Sequence, residues 1–315
     1  MTTPNAGSSW PDWLASLPAS NRKALIDALP ADVIRLILSD WRGWAGPAQR
    51  PGDGDWTTWL FLGGRGAGKT RAGAEWLSEQ ALPGRRLALV GPTLHDVREV
   101  MIEGPSGLKA IAPAHRRPVY ESSRRRLVWP NGAMAMAFSA EDPDGLRGPQ
   151  FHHGWGDEFC AWKDPAETLA MLRLGLRLGE RPRLALTTTP KPRRDLRYLM
   201  GEPGLVLTRA RTADNAAHLS PRFGEVLAGL YGGTRLEAQE LDGQVLDGAG
   251  ALWTQEMLAG CRAPRPEAME AIHVGVDPPA KSGGAACGIM VVGRSGDTAY
   301  VLEDATVQGR SPMGG

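Results

Sequence analysis

The chain has 315 residues, 42% of them apolar and 23% charged, a globular balance that argues against a disordered polymer. Thirty-six basic against 35 acidic residues leave a formal net charge of +1, so no global field marks it as a nucleic-acid binder. No apolar run approaches the roughly 20 residues of a membrane helix, and the start MTTPNAGSSWPDW lacks the basic and apolar regions of a secretory signal. Thirty of the basic residues are arginine, which the codon usage of a GC-rich genome explains better than a partner does. Cys160, Cys261 and Cys287 match no disulfide or metal spacing, and this predicts a reducing, cytoplasmic setting.

From Trp10 to Trp44 the apolar residues Leu25, Ile26, Leu29, Val33, Leu36 and Ile37 recur at helical spacing. Pro18 and Pro30 mark breaks, so two or three short helices are expected. Gly46 to Asp55 reads as a linker, closing a leader over residues 1–50. A rhythm of strand and helix then begins. TTWLFLGG (57–64) reads as a buried strand and KTRAGAEWLSEQAL (69–82) as a helix. RRLALVGPT (85–93) reads as a strand and LHDVREVMI (94–102) as a helix. Two strands are expected around the Pro-Asn-Gly turn of 124–140, and another leads into Asp157-Glu158. A helix over 165–178 and a strand over 181–190 complete the pattern. Such alternation predicts an α/β domain over residues 51–265, with a mostly parallel sheet covered on both faces. Its last part, about 193–265, is more helical and polar, and LEAQELDGQVL (236–246) is the clearest helix there. From 266 the pattern changes to a strand meander, with strands over 271–277, 287–293 and 299–304.

Gly63-x4-Gly68-Lys69-Thr70, between an apolar strand and a helix, has the spacing of a P-loop. Glycines allow the positive φ angles that turn successive backbone N–H groups toward one point, and the helix start adds its partial positive charge. Gly63, Gly64, Arg65, Gly66, Ala67 and Gly68 would cradle phosphates, Lys69 would reach the β- and γ-phosphates of ATP, and the Thr70 hydroxyl would hold Mg2+. A carboxylate at the tip of another strand must complete the magnesium site. Asp157 is the candidate, and Glu158 beside it would orient and deprotonate the attacking water. One feature opposes a central strand here: His152, His153, Gly154 and Gly156 interrupt what should be a continuous apolar run. The His pair reads as structural or as a partner contact, since no metal-ligand spacing accompanies it.

Together these segments resemble the large terminase subunit, the DNA-packaging motor of tailed phages and gene transfer agents. The resemblance is carried by WTTWLFLGGRGAGKTRAGAEW (56–76), GLRGPQFHHGWGDEFCAW (145–162), LALTTTPKP (184–192) and HVGVDPP (273–279). It implies a RecA-like P-loop ATPase followed, over 266–315, by the start of a ribonuclease H-like nuclease. It further implies that Arg65 touches the γ-phosphate and that Arg147 is a finger reaching a neighbouring subunit's ATP. Thr187, Thr188 and Thr189 match the coupling motif, while Asn215 and Gln239-Glu240 fall in the lid subdomain. Double-stranded DNA, a portal protein, a small terminase subunit and a homo-oligomeric ring are the implied partners, in the bacterial cytoplasm. Asp277 matches the first nuclease metal ligand, for Mg2+ or Mn2+, but Asp297 and Asp304 do not fit the second acid. The remaining nuclease acids are therefore expected beyond residue 315, leaving no independent nuclease activity and poor solubility over 271–315. Arg116, Arg117 and Arg124 to Arg126 form a basic cluster, read first as a solvated loop and second as a DNA contact. The competing readings are a helicase-like ATPase and an inactive nucleotide-binding remnant.

Overall fold

The computed structural model describes residues 10–232, 234–245, 257, 260–278 and 287–307. The chain divides into two compact units, 1–250 and 251–315.

The first unit opens with α1 (Trp10–Ser16), α2 (Ala19–Ala28), α3 (Ala31–Ser39) and α4 (Trp41–Trp44). Pro18 and Pro30 stand at the N-caps of α2 and α3, where a missing N–H disturbs no helical hydrogen bond. Neither helix has a fully buried residue. The alternating region runs β1 (Thr58–Gly63), α5 (Lys69–Gln80), β2 (Arg86–Gly91) and α6 (Leu94–Asp96), the last widening into a π-helical stretch through Ile102. Next come α7 (Leu108–Ile111), β3 (Val119–Glu121), β4 (Arg126–Val128), β5 (Met134–Ser139) and β6 (His153–Asp157). The unit continues with α8 (Pro165–Gly175), β7 (Arg183–Thr188), α9 (Arg194–Met200), β8 (Leu205–Ala210), α10 (Pro221–Tyr231) and α11 (Arg235–Glu240).

Eight strands form one sheet in the order β3-β4-β5-β2-β6-β7-β1-β8. Along the order from β5 to β8 every pairing is parallel, and only the pairings β3–β4 and β4–β5, at one edge, are antiparallel. The central strands β1, β6 and β7 are buried along almost their whole length, which requires apolar side chains on both faces. Trp59, Phe61, Leu87, Leu89 and Trp155 point to the face covered by Trp76 and Leu77 of α5. Leu60, Leu62, Val90 and Leu186 point to the face covered by Leu169 and Leu172 of α8 and Leu196 of α9. Each large side chain buried this way is worth about 1.5–3 kcal/mol against exposure.

The irregular sequence of β6 now has a physical account. An added Cβ on Gly156 would come within 2.7 Å of Leu186 and Trp162, so glycine there admits the Trp162 indole. His153 packs edge-on against Trp76, with ring centroids 6.0 Å apart. Three expectations change. Of the segment 236–246, residues up to Glu240 are helical and 241–245 are not, with Gly243 at φ 65°; residue 246 lies outside the described residues. Leu205–Ala210 is a parallel edge strand beside β1 that was not anticipated, because its alternating Thr208 and Arg209 blend into a polar region. Residues 46–55, read as a linker, include a 3-10 turn at Pro47–Gln49 whose Gln49 side chain reaches the glycine loop.

In the second unit β9 (Ala271–Asp277), β10 (Gly288–Ser295) and β11 (Thr298–Asp304) form an antiparallel sheet, order β11-β10-β9. Ser295 pairs with Thr298, so the hairpin is closed by Gly296 and Asp297, with Gly296 at φ 58°. Among the described residues no helix is long and apolar enough to cross a membrane.

Candidate nucleotide site

The loop from Gly63 to Gly68 joins the buried end of β1 to the start of α5. Gly66 and Gly68 sit at φ 76° and 81°, a conformation that disfavours side chains, and the loop wraps the N-terminus of the helix. Lys69 is 7% exposed, and its Nζ donates to the carbonyl oxygens of Gly63 at 3.1 Å and Gly64 at 2.9 Å. Burial holds its pKa below the usual lysine value, against the pull of Glu158 and Asp157. Thr70 Oγ1 donates to Asp157 Oδ2 at 3.3 Å, and Thr187 Oγ1 donates to Asp157 Oδ1 at 2.5 Å. Register explains the second contact, since Asp157 and Thr187 are paired residues at the ends of β6 and β7. Burial, reinforced by the neighbouring Glu158 charge, pushes the Asp157 carboxyl up to about 7. A hydroxyl and a buried carboxylate meeting beside Lys69 form the oxygen-donor set that a hard divalent cation prefers, and such an ion would relieve the buried charge.

Glu158 follows at φ 48°, ψ 49°, left-handed backbone that costs a non-glycine residue about 1–2 kcal/mol. Its Oε2 accepts the Thr189 N–H at 3.3 Å, and its Oε1 is 4.0 Å from Lys69 Nζ. Lys69, Thr70, Glu158, Thr189 and Arg65 all line one cleft of about 690 Å3. Trp41, Trp44 and Gln49 line it from the N-terminal side, and Asn215, Leu219 and Phe223 from the other. Trp41 carries the Arg71 guanidinium 5.3 Å from its ring centroid.

The polar segment after β8 is fastened to the loop. Arg65 N–H donates to Glu240 O at 2.7 Å, Thr212 Oγ1 to Arg65 O at 2.7 Å, and Asn215 Nδ2 to Gly66 O at 2.7 Å. Arg65 Nε donates to Glu240 Oε2 at 2.6 Å, with the carboxylate side chain 9% exposed. Leu241 O and Thr212 Oγ1 approach Gly64 so closely that a Cβ there would lie 2.2 Å and 2.6 Å from them.

Residues 60–259 match the family model described as "Terminase large subunit, T4likevirus-type, N-terminal". The chain belongs to this family. Among solved structures, the large terminase of a thermophilic bacteriophage aligns over 87% of this terminase chain and 68% of its own, with 17% identity and a TM-score of 0.52. Structures of that phage protein in complex with ADP and with ATP-gamma-S align over nearly the same shares. The ATPase domain of the Thermus phage P74-26 large terminase aligns over 67% of this chain and 98% of its own, with 16% identity and a TM-score of 0.51. No curated protein sequence matches. At these identities the structures establish the α/β, RecA-like fold of the terminase chain.

Thr187 is buried against Asp157 and Trp155 and Thr189 N–H reaches Glu158, while Thr188 Oγ1 accepts the Cys160 N–H at 3.0 Å in the turn that follows the acid pair. Arg147 is not brought to the cleft: it is exposed and pairs with Asp144 at 2.9 Å. Asp277 ends β9 opposite Gly288 in the second unit, and the register places it on the same sheet face as Asp304. Gln49, Thr212 and the tryptophans of α4 escaped the sequence reading. The contacts of Gln49 and Thr212 to the glycine loop, and the place of Trp41 and Trp44 in the cleft wall, depend on how distant segments pack, and no local motif announces them.

Proposed function

We propose that this terminase chain hydrolyses ATP with Mg2+ in the cleft and uses the energy to drive double-stranded DNA into a procapsid. One observation carries the reading: the glycine loop, Lys69, the Thr70–Asp157 contact and Glu158 converge on a single cleft. In this reading Gly63 to Gly68 cradle the phosphates, and Lys69 exchanges its carbonyl contacts for β- and γ-phosphate oxygens. Thr70 and Asp157 would hold magnesium, which would supply positive charge to offset that of the transferring phosphoryl group. Glu158 takes the proton of the attacking water. Arg65 leaves Glu240 to stabilise the γ-phosphate, and Arg147, exposed on its loop, serves a neighbouring copy in a ring. Thr187 to Thr189 pass the state of the site to the DNA-handling parts. A portal protein and a small terminase subunit are the expected partners, in the bacterial cytoplasm.

The test is ATP turnover measured with and without linear duplex DNA. DNA should raise turnover, and Lys69→Ala and Glu158→Ala should each abolish it. Robust hydrolysis by Glu158→Ala would remove Glu158 from the role of base. A folded, nucleotide-bound parental protein without turnover would end the motor reading.

A further inference from the structure

Arg193 lies beyond every motif singled out in the sequence, directly before α9. Its Nη1 donates to Trp162 O at 2.8 Å and to Cys160 O at 3.2 Å. These carbonyls close the short turn that follows Glu158, and the turn's own bonds run from Ala161 N–H to Glu158 O and from Trp162 N–H to Phe159 O. Nη2 stands 3.5 Å from Asp195 Oδ2, which orients the guanidinium. The same turn is held from its other side. Thr188 Oγ1 accepts the Cys160 N–H and donates to Thr189 O, and the Thr189 N–H reaches Glu158 itself. The segment 188–193 therefore grips the turn at both an N–H and two carbonyls. Left-handed backbone at Glu158 persists only when its surroundings over-determine it. The Trp162 indole adds a bond to Asp157 O, which fixes Asp157 and leaves the carbonyl side of the turn to Arg193.

We propose that Arg193 is a positioning residue for Glu158: its Nη1, bound to the Cys160 and Trp162 carbonyls while Asp195 holds Nη2, keeps the Glu158 carboxylate aimed into the nucleotide cleft. Arginine suits this task because the planar guanidinium meets the carbonyls with one nitrogen while Asp195 orients it through the other, whereas a lysine ammonium is a single flexible point with no second anchor. The inference rests on Glu158 acting as the base.

The experiment compares Arg193→Gln, Arg193→Lys and Glu158→Gln in the full chain, reading kcat, the affinity for a fluorescent ADP analogue and the melting temperature. A displacement of about 1 Å at a reacting group can cost roughly 10²-fold in rate. Arg193→Gln should therefore lower kcat by about tenfold or more, with ADP affinity held within about twofold. The lysine variant should fall between it and the parent. Thr188→Val, which frees the opposite side of the turn, should also lower kcat alone, and the double variant should lose less than the product of the two. Should the glutamine variant not fold, the lysine variant decides: lowered kcat at unchanged ADP affinity supports the proposal, and parental kcat overturns it. Parental kcat in a folded Arg193→Gln protein, with Glu158→Gln inactive, overturns the role of Arg193 alone. So does an equal loss of kcat and ADP affinity, which marks a general structural role. Full turnover by Glu158→Gln overturns the assignment of the base and this proposal together.

Discussion

At the scale of single residues, the cleft is built by atoms that leave almost no room. Gly64 is pressed between Leu241 O and Thr212 Oγ1, so any side chain must push the polar segment off the glycine loop. Gly64→Ala should destabilise the first unit by about 1–3 kcal/mol and weaken nucleotide binding, read by denaturant midpoint and by titration with a fluorescent nucleotide. Gly224, in α10, meets nothing within 4 Å. Gly224→Ala should instead raise stability by roughly 0.5–1 kcal/mol and leave nucleotide affinity unchanged. His153 supplies a pH dependence. Burial, then the nearby Arg85, His152 and Arg183 charges, lower its pKa from 6.5 to about 4. Arg85 Nη1 lies 2.8 Å from His153 Nε2, which suits a neutral, accepting ring. Between about pH 6.5 and 4 the unfolded chain binds this proton and the folded chain does not, so stability falls as pH drops through that window and levels off below it. The full shift corresponds to roughly 3 kcal/mol. Denaturant unfolding of the parent and of His153→Gln at pH 7 and pH 5 measures it, with the variant losing this part of the slope.

At the scale of elements, α5 and β6 carry the site and depend on each other. An added Cβ on Gly73 would sit 2.2 Å from Trp155 Nε1, and that indole hydrogen-bonds Thr187 Oγ1, the same hydroxyl that holds Asp157. Gly73→Ala should therefore lower both stability and kcat, since it reaches Asp157 through Trp155 and Thr187. A Gly73→Ala protein with parental turnover and melting temperature would contradict this path. The alternation of strands and helices was legible because β1, β2 and β7 are apolar runs bounded by glycine or proline. The strand β6 was legible only through Asp157-Glu158, because its glycines are set by Trp162 and by close packing against neighbouring elements. The edge strands β3 and β8 were not legible. Half-exposed strands carry mixed residues, and only pairing with β4 and β1 makes them strands.

At the scale of the whole molecule, a net charge of +1 says nothing about where DNA would bind, but the fold collects charge locally. Arg124 to Arg126 fall at the β3–β4 hairpin on the antiparallel edge of the sheet, with Arg126 paired to Glu121 and Arg125 at φ 49°. Stimulation of ATP turnover by duplex DNA should be independent of DNA sequence and should fall steeply between about 50 and 200 mM salt. Replacing Arg124 and Arg125 by alanine should reduce the salt slope if this edge touches phosphate, and leave it unchanged if the hairpin is only solvated. Titration of DNA-stimulated turnover against salt distinguishes the two.

The sequence by itself determined the strand–loop–helix unit, the adjacent acids and where most core strands fall along the chain, because these depend on local spacing and on residues with strong conformational preferences. Tertiary structure decided which distant groups serve the cradle. Gln49, Thr212, Asn215 and Glu240 grip the glycine loop, and Arg193 grips the turn after Glu158. Their side chains are ordinary polar residues in polar segments. Only the packing that brings residues as much as 175 positions apart within hydrogen-bond reach gives them a task, and no local pattern encodes that proximity.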